Sequence, residues 1–346
     1  MNRAVLSIIT AVLLLLGNAA QAEVVSDLHS AEVPVADRSQ EALNAAARDG
    51  LAQVLVKVSG SIDVLNYPAI RAALPKSRSY VQQYAYAVGE GNALLARFEF
   101  NDTVIAGLLT EARAPLWTAN RPTVLAWVVI ETPAGRQFLG PDTDPALTTE
   151  LLAAFSRRGV PVQLPLFDLA DAAALTPGVA WRQDADALQA ASARYGVGDI
   201  LAGRVVVLST GSWTGDWAYL GERNRIDRSI TADSAETFLQ AGVALVAEDM
   251  ASRYAVSPSR GGTGGIVLSV SGVNSYADYA GVVSWLEGLE LIEHANVERI
   301  SGDQMQLRLV AQTDSAQLAS IIELNQSLVP LPVAQRDGEL AYRWQK

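Results

Sequence analysis

Few side chains in this sequence are placed to do chemistry. Histidine occurs twice, at His29 and His294, and cysteine is absent. Neither histidine has a second His or Cys at ligand spacing, so the pattern predicts neither a zinc site nor any other histidine-based metal site. His294 follows a predicted helix ending near Glu290 and reads as a solvated helix-end residue, where the dipole favours a cation. No Gly-x-Ser-x-Gly elbow precedes a histidine, which argues against a serine hydrolase. The run Gly196–Gly203 (GVGDILAG) leaves a helix and enters a strand, the wrong direction for cradling a pyrophosphate. The glycines of Ser257–Gly265 (SPSRGGTGG) lack the lysine of a nucleotide loop and precede a strand instead of following one. No cofactor is expected.

Two kinds of residue remain. Carboxylates are plentiful, and a glycosidase needs only two flanking a sugar bond, but Asp37, Asp102 and Asp184 stand at helix starts, where carboxylates cap. The second kind is the group around Leu208–Leu220 (LSTGSWTGDWAYL). A strand over 216–220 puts Trp217 and Tyr219 on one face by the period of two and predicts Trp217 as packing. Trp213 then sits in the polar turn, with Arg223, Arg225 and Arg228 arriving after the returning strand. These four residues, Trp213, Arg223, Arg225 and Arg228, form the candidate interaction surface, since aromatic and arginine side chains dominate contact energetics.

The elements that must carry these residues can be read from patterning. Residues 1–22 have the form of an export signal: Arg3, an apolar run from Ala4 to Leu16, and Ala20-Gln21-Ala22, with cleavage expected after Ala22. The run is shorter than the ~20 residues a membrane helix needs, so no membrane insertion is expected. An exported, cysteine-free chain of this length fits the bacterial periplasm, because it buries enough apolar surface to fold without disulfides. The net charge of −11 opposes nucleic acid and anionic lipid as partners. Only 18% of residues are charged and half are hydrophobic, which predicts a folded chain and not a disordered one.

Three modules follow, giving a mixed α+β and α/β fold. The amino-terminal α+β module, 23–120, has a helix over 38–58 opened by a capping box of Asp37 and Gln40, then a hairpin in which Tyr84, Tyr86 and Val88 alternate before GEGN and Leu94, Ala96, Phe98 and Phe100 after it. Asp102 is expected to cap a short helix to Leu109. The α/β module, 121–256, opens on the apolar strand Val124–Ile130 and alternates strands with helices to a last helix at Ala235–Tyr254. Residues 257–265 read as a flexible Gly-rich linker. The final module, 266–346, has the order βαββαβ, the ferredoxin-like plan.

The phrases RPTVLAWVVIE, RYGVGDILAGRV, GSWTGDWAYL and GIVLSVSGVNSYADYAGVVSWLEGL together resemble the bacterial domain-of-unknown-function-2066 family over nearly the whole mature chain. More loosely, the middle module is similar to the α/β domain at the amino terminus of TolB and to its curli-secretion relatives, and a front module followed by such a domain is similar to the flagellar assembly protein T. The resemblance implies a non-enzymatic binding or assembly role with envelope proteins as partners, and it transfers no catalytic residue. The runner-up is a hydrolase acting on an envelope polymer through paired carboxylates.

Overall fold

The computed structural model describes residues 22–221, 224–256, 265–289, 291–311, 313–324, 327–331 and 340–345. The segments read above as an export signal and a Gly-rich linker, apart from Ala22 and Gly265, lie outside the described residues. The protein is a multi-module α+β and α/β chain. It divides into two compact units: one holds 122–148 and 162–234, and the other 22–121, 149–161 and 235–346.

The front of the second unit carries strands β1 (Ala22–Val24) and β2 (Ser30–Pro34), helices α1 (Gln40–Ser59) and α2 (Pro68–Ala73), strands β3 (Val81–Val88) and β4 (Leu94–Phe100), helix α3 (Asp102–Ala112) and strand β5 (Asn120–Pro122). Ser39, not Asp37, caps α1, its side chain accepting from Ala42 N at 3.2 Å; Asp37 acts one step back, accepting from Ser39 N. Asn101 rather than Asp102 caps α3 in the same way. The helix α1 ends at Gly60, whose φ of 75° is the left-handed conformation that favours glycine. Space enforces the choice too, since a Cβ there would lie 2.4 Å from that of Ala251. Leu51, Val54 and Leu55 of α1 pack with Phe98 and Phe100 of β4 and Ile105 and Leu109 of α3. β2 and β3 flank β4, both antiparallel to it.

The other unit is built on β6 (Val124–Thr132), whose first seven residues are buried, as a strand covered on both faces requires. It pairs antiparallel with β7 (Gly135–Phe138). Helix α4 (Pro145–Arg158) leads to β8 (Val162–Gln163), then to α5 (Leu169–Ala174), α6 (Pro177–Ala180) and α7 (Ala185–Ser192), and to the meander β9 (Asp199–Val207), β10 (Trp213–Leu220) and β11 (Arg225–Ala232). The order is β11-β10-β9-β6-β7, with β8 also beside β6, and β6 runs parallel to β9. On one face Leu125, Trp127 and Val129 of β6, Ile200 and Ala202 of β9, and Ala218 and Leu220 of β10 pack beneath Ala180, Leu188 and Ala191 of α6 and α7. Trp127 Nε1 donates to Ser192 Oγ at 3.0 Å, giving the buried indole its partner.

After α8 (Ala235–Tyr254), the last module comprises β12 (Ile266–Ser271), α9 (Tyr276–Glu287), β13 (Ile292–Ser301), β14 (Gln304–Ala311), α10 (Ser315–Leu324), β15 (Leu328–Pro330) and β16 (Leu340–Trp344). Ser275 caps α9, accepting from Asp278 N at 3.1 Å. Val282 and Leu286 of α9 and Leu318 and Ile322 of α10 share one core with Leu268, Val270, Met305, Leu307 and Leu309 of the sheet. The ferredoxin-like plan carries an added strand. β15 takes the outer place and β16 slots between it and β12, parallel to β12.

Candidate functional site

On the α6–α7 face of the middle sheet the helical cover stops at Trp181, the residue that ends α6. Alternation carries the same face onward along the strands, and there its residues turn polar. Arg204 and Val206 of β9, Thr214 and Asp216 of β10, and Ser229 and Thr231 of β11 floor a cleft of about 460 Å³ with Trp181 in its wall. Register brings them together: Asp216 stands across from Arg204 on one side and Ser229 on the other, and Thr214 from Val206 and Thr231.

The hydrogen bonds fix the charges. Arg204 Nε donates to Asp216 Oδ2 at 2.7 Å, and the Ser229 hydroxyl donates to Asp216 Oδ1. The Ser229 hydrogen bond, with the Arg204 guanidinium, holds the Asp216 carboxyl below its usual range, against the opposing effect of partial burial. Arg136 lies over the Trp181 ring at 4.3 Å, and Arg204 Nη1 reaches the Trp181 carbonyl at 3.4 Å. Beneath the wall, Gln183 has φ of 52°, a costly left-handed conformation for a long side chain. Its amide donates to the carbonyls of Ala202 and Asp216, and its own carbonyl accepts from Arg225 Nη1 at 3.0 Å, so the turn is held at three points.

The four residues of the predicted surface are distributed differently. Trp213 is not in the turn; it is the first residue of β10, half-buried, across from Val207 and Ala232. Arg228 stands across from Trp217, so Trp213, Trp217 and Arg228 share one face of the sheet. Arg225 stands across from Leu220 and therefore belongs to the opposite face, where it pairs with Asp227 at 2.8 Å. Arg223 lies outside the described residues. Trp217 is fully buried. Its neighbour on that face, Tyr219, is buried as well, with its hydroxyl on Asp199.

Sequence reasoning missed Trp181, Arg204, Asp216 and Ser229 as a group. The signal was present: an arginine inside the apolar run ILAGRVVV, and polar residues two apart in both neighbouring strands.

The histidines are separate from this site. His294 is an exposed residue of β13 across from Val310, not a helix-end residue, because the strand begins at Ile292. His29 is half-buried, and burial lowers its pKa, assisted by Arg121 and Lys57 and opposed by Asp102. Asp184 caps α7, accepting from Ala187 N. A close carboxylate pair does exist at Asp168 and Asp171, but Arg194 Nη1 bridges the two at 2.7 and 3.0 Å. The Tyr195 hydroxyl donates to Asp171 at 2.5 Å and accepts from Leu166 N, so the cluster fastens the chain entering α5. Among the described residues no group of three His, Asp or Glu side chains is placed to hold a metal, and no helix is long and apolar enough to cross a membrane.

Residues 22–118 match a family model described as Domain of unknown function (DUF8605). That match corrects the resemblance drawn from the sequence to the domain-of-unknown-function-2066 family, and the looser likeness to the TolB and curli-secretion type domain falls with it. No curated protein matches the chain. One solved structure, described as the crystal structure of an uncharacterized protein, aligns at 14% identity over 38% of this chain and 90% of its own, with a TM-score of 0.18; a likeness of that size carries no argument.

Proposed function

We propose that this chain is an exported, periplasmic, non-enzymatic binding or assembly factor of the bacterial cell envelope, and that the Trp181 cleft is a contact site for a polar group of its partner. The observation that carries the reading is the state of Asp216. It is the one carboxylate among the cleft-lining residues, and both of its oxygens are occupied, by Ser229 and Arg204. A glycosidase acid needs a raised pKa and a second carboxylate across the bond; Asp216 is shifted in the other direction. Hydroxyls at Thr214, Ser229 and Thr231, beside a guanidinium and an indole, instead make a floor that can hydrogen-bond and stack. The form of residues 1–22 supports export, and the acidic chain disfavours nucleic acid.

Photocrosslinking in intact cells tests this reading. A photoreactive residue replacing Thr231 is expected to capture a discrete envelope protein, and one replacing Asp227 much less of it. Release of soluble fragments from purified cell-wall polymer by the wild-type chain, abolished in Asp216→Asn, would instead establish the hydrolase.

A further inference from the structure

The two outer strands of the front sheet are treated in opposite ways. β2, on one side of β4, carries Glu32, which is ion-paired to Arg97, and ends on Pro34. These are the usual means of keeping an exposed strand from pairing with another chain. β3, on the other side, reads VQQYAYAV: eight residues with no charge and no proline. Gln82 to Ala85 are exposed, and Val88 is 65% exposed. Among the described residues β4 is the one strand that pairs with it.

The ladder fixes which backbone groups face outward. Gly89 N donates to Ala93 O at 2.9 Å, and Leu94 O accepts from Val35 N on the β2 side. In an antiparallel pair, hydrogen-bonded and non-hydrogen-bonded positions alternate. Val88, Tyr86 and Tyr84, which stand across from Leu94, Ala96 and Phe98, therefore turn their N–H and C=O groups to the open edge. The same residues carry the side chains that would meet an added strand. Tyr84 and Tyr86 touch edge to face at 6.1 Å, with Arg78 over the first ring at 4.8 Å and Arg38 over the second at 5.1 Å. Among the described residues neither arginine has an ion-pair partner, and Arg78 Nη1 is buried without an acceptor.

We propose that β3 is a docking edge that receives an extended segment of a partner protein as a fourth strand, with acidic side chains at alternate positions directed at Arg38 and Arg78. Backbone pairing supplies the attachment and the arginines supply the selection. A second copy of this chain fits less well, because its own β3 brings no carboxylate to the arginines. This surface is separate in sequence and composition from the Trp181 cleft, and the proposal does not depend on that reading.

The probe is a capped ten-residue peptide alternating glutamate and valine, labelled and titrated against the mature chain by fluorescence anisotropy. Saturable binding is expected, lost when the amides of one alternate set are N-methylated and kept when the other set is. Arg38→Glu and Arg78→Glu should each weaken it tenfold or more at unchanged melting temperature, and a lysine-valine peptide should not bind. If Arg78→Glu fails to fold, Arg38→Glu alone decides the charge question. Equal effects of the two methylation sets, equal binding of the lysine peptide, or absence of saturable binding would each overturn the proposal. So would a concentration-dependent dimer abolished by Val88→Lys, which would place a second copy on the edge.

Discussion

Trp217 lies directly across the β9–β10 pair from Gly203, and its ring fills the space where a side chain on Gly203 would stand: a Cβ there would come within 2.4 Å of the indole. The glycine is required by the tryptophan, not by its own backbone conformation.

Gly203→Ala should therefore destabilise the middle unit by about 1–3 kcal/mol through overpacking, and Trp217→Ala by about 3–5 kcal/mol through the cavity it leaves. The informative variant is the double one. In a Trp217→Leu background the added methyl of Gly203→Ala should cost markedly less than in the wild type, a coupling within the ~0.5–3 kcal/mol seen for residues in contact. Strictly additive losses in a denaturant titration would mean that the two residues do not compete for the same space.

Acid should loosen the chain entering α5. The Asp168 carboxyl is lowered from 3.8 to about 2, first by the hydrogen bond from Arg194 and then by the Asp171 backbone amide. A carboxyl lowered on folding stabilises fully above its unfolded pKa and loses that contribution as pH falls through the folded value. Asp168→Asn should accordingly flatten the decline of the unfolding midpoint between pH 3.8 and about 2. Asp216→Asn should act in the same direction below pH 3.8. Parallel wild-type and variant curves in this window would contradict the assignment.

His29 should titrate below 6.5, because partial burial disfavours its cation. A base lowered on folding contributes stability above its unfolded pKa and loses it as pH falls from there through the folded value. His29→Gln should therefore remove part of the stability loss on acidification from pH 6.5. Its imidazole proton shifts, followed by NMR, should give a midpoint under that value; one above it would show that Asp102 outweighs burial.

Arg121→Met should be among the most damaging single changes in the second unit. The guanidinium is fully buried, stacks on the Trp117 ring at 3.9 Å, and donates to the carbonyls of Lys57, Trp117, Thr118 and Gly159 at 2.8 to 2.9 Å. Buried acceptors left unpaired cost about 1–3 kcal/mol each. A melting temperature within a degree or two of wild type would mean that those carbonyls find other donors.

Regular elements with strong periodicity are legible in the sequence itself. The apolar run of β6, the β3–β4 hairpin and α8, which spans Ala235–Tyr254 as read, need only local patterning. β2 is not legible because five residues ending on Pro34 make too short a pattern, and the start of β13 because polar residues break its alternation. His294 and Asn296 interrupt β13 with polar residues, and a single-strand pattern then looks like a loop. The cleft needs more than pattern. That Arg225 falls on the opposite face from Trp213 depends on how β11 registers with β10, and one residue of slip would reverse it. The Arg204–Asp216–Ser229 contact likewise depends on three strands at once, which no local window contains.

The grip of Arg121 bears on where a fragment of this chain can be cut. The segment matching the family model stops at residue 118, three positions before the arginine whose guanidinium closes the end of α1 and the Trp117 carbonyl. The same side chain takes the Gly159 carbonyl, and Arg158 reaches back to the Gly60 carbonyl at 3.0 Å. A recombinant piece trimmed to the matched residues would lose both donors and keep the Lys57, Trp117 and Gly60 carbonyls that they serve, so the matched segment ends short of the contacts that close it. A fragment built around the front sheet therefore needs Arg121 and residues 149–161 as well, and these belong to the same compact unit as 22–121 and 235–346.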